Sequence, residues 1–243
     1  MNKKTTFGIA GILSAAVIAA SGLTAMAADV DIYAEGAYTA SDLVVYIYAD
    51  INTAAPLVSA GVQLTYDNSK LTLTSAAKNE TDWYFGTPTQ KYSYQDPQDT
   101  GSAVIFMCGK IDEGNPTAGV VGTRKLIGKA TFTRTESAAP GTSPETYFGS
   151  ALGLGITRTD GGEFANFVTT GEEVLDNGGV SYAVKIRKRG DVNGDGRINV
   201  QDIAAVKYYT QHGGPLYPWI DCNGDGVVNV QDMACVKYKM TNL

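Results

Sequence analysis

Histidine and cysteine are scarce in this sequence. Among its 243 residues there is one histidine, His212, and there are three cysteines, Cys108, Cys222 and Cys235. Nucleophilic catalysis by serine or cysteine usually needs a histidine base, and zinc sites draw on several histidine or thiolate ligands. The sequence therefore disfavours both chemistries, whereas chemistry based on its 25 aspartates and glutamates remains open.

Positive charge is also in short supply. Lysine and arginine total 19 against 25 acidic residues, so the formal net charge is −6 and the pI is about 4.8. A nucleic-acid-binding protein needs a basic face, and the one basic cluster lies at residues 185–189. We therefore expect no nucleic-acid partner. A composition of 44% hydrophobic and 18% charged residues is typical of a globular protein.

Long hydrophobic runs are missing except near the start of the chain. There, Lys3 and Lys4 precede the apolar stretch Phe7–Ala20, and Ala25-Met26-Ala27 supplies a small-x-small cleavage site. The apolar run is shorter than the roughly 18–20 residues that a spanning helix needs. Residues 1–27 are therefore predicted to be a signal peptide. We expect a secreted, extracellular protein with no membrane insertion after cleavage, held at a cell surface only through a partner scaffold.

An odd number of cysteines does not indicate a framework of disulfides in a secreted protein. Cys222 and Cys235 are close enough in sequence to pair, but Val192 and Ala205 stand at the corresponding positions of an earlier, similar segment. These apolar counterparts suggest small packing positions. We therefore expect Cys222 and Cys235 to be buried free thiols.

Residues 28–188 have the pattern of an all-β domain. Val62, Leu64 and Tyr66 alternate with polar residues, as expected for a half-buried strand. Short strands separated by turn residues, without a convincing amphipathic helix, predict a β-sandwich, with Ser137–Pro144 as a loop. The other predicted strands include Leu43–Ala49, Ala103–Cys108, Leu152–Ile156 and Val180–Ile186.

Residues 189–243, here called the C-terminal module, contain an internal duplication. Residues 191–208 read DVNGDGRINVQDIAAVKY and residues 221–238 read DCNGDGVVNVQDMACVKY, at an offset of 30. Such a repeat indicates two copies of one structural unit, assigned here to 191–212 and 221–242. Gly213-Gly214-Pro215 between the copies is expected to end the first helix.

Each copy opens with D-x-N-x-D-G, followed by Asn at position 9 and Asp at position 12. Calcium takes six to eight oxygen ligands, and this spacing gathers carboxylates, amides and one backbone carbonyl, at position 7, around a single point. A metal-free turn rich in Asp and Asn is the alternative. The residues predicted to hold two Ca²⁺ ions are Asp191, Asn193, Asp195, Arg197, Asn199 and Asp202, and Asp221, Asn223, Asp225, Val227, Asn229 and Asp232.

The pattern matches the EF-hand loop except that position 12 is Asp rather than Glu. The shorter carboxylate must approach the ion more closely, so a weaker affinity is expected. Gly196 and Gly226 occupy position 6, where the chain turns sharply with a positive φ. A strand, not a helix, is predicted before the first loop, so each copy is a loop followed by a helix.

This duplicated loop-helix unit resembles the dockerin family over essentially all of residues 190–243. The resemblance implies a small α-helical module that folds with calcium and binds a cohesin domain of a scaffold protein. Dockerins with a Ser/Thr pair at positions 10 and 11 differ from this chain, and Val200 and Val230 could instead be packing residues. The partner-binding positions that the resemblance implies are Val200, Gln201, Lys207, Tyr208 and His212, and Val230, Gln231, Lys237, Tyr238 and Asn242.

The preceding domain resembles cohesins. The run Gly61–Leu71 is similar to their φ-x-φ-x-Tyr-Asp-x-x-x-Leu stretch, and Gly101–Met107, Leu126–Phe132 and Val180–Ile186 are similar to later strands. The resemblance implies a jelly-roll β-sandwich that receives a dockerin. The predicted fold is thus mainly β, a cohesin-like sandwich followed by a small α-helical dockerin with two EF-hand-like calcium loops.

Three functions fit these features. The first is a non-catalytic adaptor scaffoldin of a cellulosome-like, polysaccharide-degrading complex, which binds a dockerin-bearing enzyme or scaffold subunit and a cohesin. The second is a dockerin-borne carbohydrate-binding module, in which Tyr84, Phe85, Tyr92 and Tyr94 stack on a polysaccharide. The third, a glycoside hydrolase with two catalytic carboxylates, is the weakest. Asp82, Asp112, Glu113 and Glu163 are interpreted as solvated loop charges.

Overall fold

The computed structural model describes residues 29–87, 89–92, 95–112, 118–135, 143–156, 166–175 and 180–242. The predicted signal peptide, residues 1–27, lies outside these ranges. None of the helices that they contain is long and apolar enough to cross a membrane.

Most of the regular structure lies in strands. The strands are β1 (Val30–Tyr38), β2 (Asp42–Ile51), β3 (Leu57–Tyr66), β4 (Leu71–Lys78), β5 (Phe85–Gly86), β6 (Lys91–Tyr92), β7 (Gln98–Asp99), β8 (Ala103–Gly109), β9 (Ile111–Asp112), β10 (Gly122–Arg134), β11 (Leu152–Ile156), β12 (Val168–Thr169) and β13 (Val180–Lys188). The helices are α1 (Pro144–Gly149), α2 (Val200–His212) and α3 (Val230–Thr241).

Two sheets form the sandwich. One has five strands in the order β13-β1-β2-β10-β4, in which only the β1–β13 pair is parallel. The other has the order β11-β3-β8-β7, with β12 also paired to β3. A small sheet, β6-β5-β9, lies beside them. The prediction of a mainly β sandwich is confirmed.

The alternating pattern of β3 decides which side chains enter the core. Val62 and Leu64 are fully buried, whereas Gln63 between them is partly exposed and Thr65 is exposed. Since successive side chains of a strand point to opposite faces, the apolar set lies between the two sheets. The aromatic residues Trp83, Phe106, Phe132, Phe148 and Phe167 are among the largest fully buried side chains of the described residues.

The prediction that the sandwich contains no helix is wrong. Helix α1 begins after Ser143, whose side-chain oxygen accepts a hydrogen bond from the N–H of Thr146. Pro144 follows at the first helical position, where its fixed φ is favourable. This cap was a readable signal, but the helix has only six residues and shows no amphipathic period.

Helices α2 and α3 each begin directly after a loop of the repeat. Asn199 and Asn229 are the N-caps, and each forms a capping box with the Asp three residues later, Asp202 or Asp232. The same Asp therefore starts the helix and closes the loop before it.

The C-terminal module lies on the outer face of the five-stranded sheet, the face turned away from the sandwich core. Ala37 of β1 points to this face and is nevertheless fully buried. It packs in one apolar cluster with Val206, Trp219, Ile220 and Val236 of the module. The two parts of the chain therefore share a small second core.

Candidate functional site: the two acidic loops and the helices that follow them

Backbone N–H groups of the first loop point at two carboxylates. Asp191 accepts hydrogen bonds from the N–H groups of Gly194 at 2.8 Å and Gly196 at 3.0 Å. Asp202, at position 12, accepts one from the N–H of Asn199 at 2.8 Å. These bonds fold the loop around its first and last acidic positions.

The second loop repeats this arrangement. Asp221 accepts from the N–H groups of Gly224 at 2.7 Å and Gly226 at 2.9 Å, and Asp232 accepts from Asn229 at 2.8 Å. Gly196 in the first loop has a φ of 82° and Gly226 has a φ of 85°. Both position-6 glycines thus adopt the left-handed conformation that the spacing predicted.

The middle positions connect each loop to its helix. The side-chain N–H₂ of Asn193 lies 3.1 Å from an oxygen of Asp195 and 3.2 Å from the amide oxygen of Gln201. An expected calcium ligand therefore contacts an expected partner-binding residue. In the second repeat the same bonds join Asn223 to Asp225 and to Gln231.

Position 7 was expected to supply a backbone carbonyl. In the structure Arg197 and Val227 are exposed, and each donates its backbone N–H, at 2.9 Å, to the Asp at position 5, Asp195 or Asp225. The hydrogen bond from the N–H of Arg197 is the main reason that the pKa of Asp195 is lowered. Among the described residues no three His, Cys, Asp or Glu side chains lie close enough together to hold a metal ion.

Asp191 and Asp202 are buried like charges in one loop. Burial raises the pKa of Asp191 and the charge of Asp202 raises it further, whereas the N–H groups of Gly196 and Gly194 lower it. Within the described ranges neither carboxylate forms an ion pair with a lysine or arginine. Buried carboxylates need a compensating cation or strong hydrogen bonds, and here backbone N–H groups supply the hydrogen bonds.

The residues expected to contact a partner lie on the exposed sides of both helices. Val200 and Val230 are each 67% exposed, so neither is a packing residue. Tyr208 and Tyr238 are 59% and 68% exposed. The exposed side chains next to them, again matched between the repeats, are Gln201, Lys207, Gln231 and Lys237.

The tails of the two helices carry different residues in similar places. The Nδ1 atom of His212 lies 3.0 Å from the carbonyl oxygen of Tyr208, and the two rings stack at 4.2 Å. Asn242 donates its side-chain N–H to the carbonyl oxygen of Tyr238 at 2.9 Å. His212 is thus exposed and lies beside Tyr208.

The expectation of two free thiols in the module is wrong. Cys222 and Cys235 form a disulfide, with Cα atoms 5.8 Å apart, while Cys108 is a buried free cysteine. Val192 and Ala205 fill the equivalent positions in the first repeat, and apolar contact replaces the bond there. The apolar residues at the equivalent positions of the first repeat indicated that the two cysteines are buried, but not that their sulfur atoms lie close together.

The aromatic residues considered for sugar stacking differ in exposure and do not form one open platform. Tyr84 is 5% exposed, and Phe85 is partly buried. The Tyr84 ring is also covered by the ammonium group of Lys91, 4.8 Å from its centroid. Tyr92 is exposed, and Tyr94 lies outside the described residues.

Asp82 and Asp112, interpreted above as solvated loop charges, are partly buried and make structural contacts. Asp82 pairs with Lys125 at 3.0 Å, and Asp112 accepts a hydrogen bond from the Tyr84 hydroxyl at 3.0 Å. Glu113 and Glu163 lie outside the described residues.

Arg124 and Glu35, for which the sequence pattern indicates no role, meet at the junction of the sandwich and the module. The Arg124 guanidinium lies 2.8 Å from the Glu35 carboxylate, although 89 residues separate them in the chain. No local sequence pattern predicts a contact between two residues so far apart.

No family model matches the chain, and no curated protein matches it significantly. Among solved structures, the chain is similar to the seventh ScaB type I cohesin from Pseudobacteroides cellulosolvens, with 13% identity, 65% of this chain and 92% of that chain covered, and a TM-score of 0.40. It is similar to the sixth cohesin of scaffoldin B from Acetivibrio cellulolyticus, solved in complex with a dockerin, with 15% identity, coverage of 65% and 95%, and a TM-score of 0.41. A non-cellulosomal cohesin from the archaeon Archaeoglobus fulgidus gives 13% identity, coverage of 65% and 91%, and a TM-score of 0.39.

Proposed function

We propose that this protein is a secreted, non-catalytic adaptor scaffoldin of a polysaccharide-degrading multienzyme complex. Its sandwich binds a dockerin, and its C-terminal module, with calcium bound, inserts into a cohesin of another scaffold. The observation that carries the proposal is that the two repeats of the module have the same pattern of buried and exposed residues. The buried, intermediate and exposed positions of residues 191–210 recur in the same order over 221–240.

This recurrence supports a binding role for the module. Buried positions repeat because the two helices pack in the same way, but exposed apolar positions have no such reason to repeat. Val200 and Val230 nevertheless present the same branched side chain to solvent, each followed by an exposed glutamine. A surface that binds a protein partner would keep such exposed apolar residues in both copies.

Calcium fits the donor set of each loop. Carboxylate oxygens of Asp191, Asp195 and Asp202, with amide and carbonyl oxygens between them, are the hard ligands that this cation prefers. When bound, the ion supplies the positive charge that two buried aspartates lack. Asn193 could then bind through its oxygen while its N–H₂ still holds Gln201, so that loop closure would orient the partner-binding glutamine.

On the sandwich, the surface left open is the outer face of the sheet formed by β11, β3, β8, β7 and β12, since the module occupies the outer face of the other sheet. Gln63 and Thr65 of β3 point to this face, and Ile105 of β8 lies opposite Gln63. The apolar side chains of Ile105 and Met107 are partly exposed there, as in a surface that binds a protein partner. A groove of about 480 Å³ at its edge is lined by side chains that include Val58, Phe85, Met107, Ile111 and Val168.

Co-purification with the full chain tests the proposal. Calcium-loaded protein is immobilised and exposed to the proteins secreted by its source, and the captured chains are identified. Recovery of chains with dockerin-like repeats and of a scaffold with cohesins is expected. A variant with Gln63→Arg and Met107→Glu should lose only the dockerin-bearing chains. Retention on insoluble polysaccharide, with no protein captured, would replace the adaptor by a carbohydrate-binding module.

A further inference from the structure

The junction between the sandwich and the module is built around Arg124. Its guanidinium lies between two aromatic rings, 4.2 Å from the centroid of Tyr48 in the sandwich and 4.6 Å from that of Tyr217 in the module. One nitrogen, Nη2, lies 2.8 Å from the Glu35 carboxylate and 3.0 Å from the carbonyl oxygen of Leu216. A single side chain thus contacts both parts of the chain.

The sandwich holds the backbone of Arg124 in a strained conformation. Arg124 has a φ of 52°, one of the two positive values found for non-glycine residues in the described ranges, and lies at an irregularity of β10. Its backbone N–H donates to Asp50 at 2.7 Å, and Glu35 is only 6% exposed. Strained backbone and a buried charge persist where the surrounding structure requires them. Both features place the guanidinium at the junction.

The inter-repeat segment 216–219 of the module, which includes Leu216 and Tyr217, makes a second contact with the sandwich. Trp219 is 2% exposed, and the cations of Arg187 and Lys185 lie 4.7 Å and 5.2 Å from its ring centroid. Its carbonyl oxygen accepts a hydrogen bond from the N–H of Gly190 at 2.9 Å. The segment between the two repeats is therefore held on both sides.

The strand that ends the sandwich also reaches the loops. Arg187 donates to the carbonyl oxygen of Val192 at 3.0 Å, and a Cβ added to Gly194 would lie 2.5 Å from its guanidinium carbon. A Cβ added to Gly224, at the same position of the second loop, would lie 3.1 Å from a nitrogen of Arg189. Each loop thus rests on an arginine from the junction.

We propose that the outer face of the five-stranded sheet is an intramolecular docking surface whose occupant is the inter-repeat segment 216–219, with Arg124 as the positioning residue. The docked module moves with the sandwich as one body, and each exposed helix face keeps a fixed direction relative to the sandwich. The docking contacts involve no proposed partner.

The test uses the full chain and the variant Arg124→Ala. Hydrogen exchange of the α2 and α3 amides should become about tenfold faster or more, as the loss of a charged hydrogen bond implies, and small-angle scattering should show a broader distribution of separations. Lys125→Ala is the matched control, since Lys125 is the next residue of the strand but pairs with Asp82 inside the sandwich. It should leave both measurements unchanged.

Tyr217→Ala removes the same contact from the module side, so the test does not depend on the folding of the arginine variant. The effect of the double variant should be smaller than the sum of the two single effects, because both changes remove the guanidinium–ring contact, although Tyr217 also stacks on Trp219. Exchange and scattering like those of the unaltered chain in both single variants would overturn the proposal. Additive effects in the double variant would also contradict a shared contact.

Discussion

Val200 and Val230 stand at the same position of the two repeats and have the same exposed fraction, 67%. Each begins its helix and precedes an exposed glutamine that is bonded to the loop. The two helices therefore present equivalent surfaces, and the sandwich covers neither.

This equivalence predicts that either helix can serve a single cohesin. Lys207→Ala with Tyr208→Ala should weaken binding little, because the second helix takes over after a rotation of about 180°. Adding Lys237→Ala and Tyr238→Ala should cost about 2 kcal/mol or more, as when a central hot spot is lost. Titration calorimetry against the cognate cohesin measures both. A large loss in the first variant would contradict symmetry, with His212 and Asn242 as the first positions to exchange.

Each loop should bind one calcium ion through its position-12 carboxylate. Asp202→Asn keeps an oxygen that can cap the helix but removes the charge, so the affinity of that loop should fall by more than the roughly 10-fold that loss of an outer-shell partner costs. Calorimetry should show two bound calcium ions in the unaltered chain. At calcium concentrations that saturate only the second loop, Asp202→Asn should bind one ion. Asp232→Asn should likewise bind one ion, in the first loop, whereas the control Asp82→Asn should bind two ions. Two ions with unchanged affinity in Asp202→Asn would rule out this ligand.

The Cys222–Cys235 disulfide should stabilise the second repeat over the first. It closes a loop with a sequence separation of 13, which contains the second acidic loop from position 3 to position 12. Restricting the unfolded chain in this way contributes about 3 kcal/mol in the chain-entropy model. Cys222→Val with Cys235→Ala copies the first repeat and should lower the free energy of unfolding by about that amount.

Urea denaturation followed by helical circular dichroism checks the disulfide prediction. The unaltered chain treated with reductant should behave like the double variant, which itself should not respond to reductant. Equal stability of the oxidised chain and the variant would show that the bond contributes nothing.

Lys239 should make stability depend on pH. Burial lowers its pKa to about 8, with the positive charges of Arg189 and Lys188 acting in the same direction and Asp42 opposing them. Its ammonium donates to the carbonyl oxygen of Arg189 at 2.9 Å. Since the unfolded chain holds this proton more tightly, stability should rise as pH increases from about 8 towards the ordinary lysine value near 10.4.

Thermal denaturation between pH 7.5 and 10 measures this slope. Lys239→Met keeps the apolar stem and removes the titrating group, so it should flatten the slope, whereas the exposed Lys237→Met should not. A slope that survives in Lys239→Met would assign it to another group.

Local sequence was enough for the units that are built from neighbouring residues. The twelve-residue loops close through bonds between residues at most ten positions apart, such as that from Val192 to Asp202, so their spacing already implies their geometry. Strand β3 was equally predictable, because alternation with period two is itself the condition for burying one face. Helix α1 was not predicted because a six-residue helix has an N-cap but is too short to show a repeating pattern of apolar residues.

The way in which these units meet depends on contacts between residues that are far apart in the chain. Arg124 reaches Glu35 across 89 residues and Leu216 across 92, and neither partner carries a sequence mark of the other. The burial of Tyr84 and the pairing of Cys222 with Cys235 likewise follow from which surfaces the fold brings together. The two loop-helix units and the strands of the sandwich could be predicted from the amino-acid sequence, since short-range spacing dictates them. Their fixed arrangement depends on long-range packing and charge compensation, which exist only once the chain has folded.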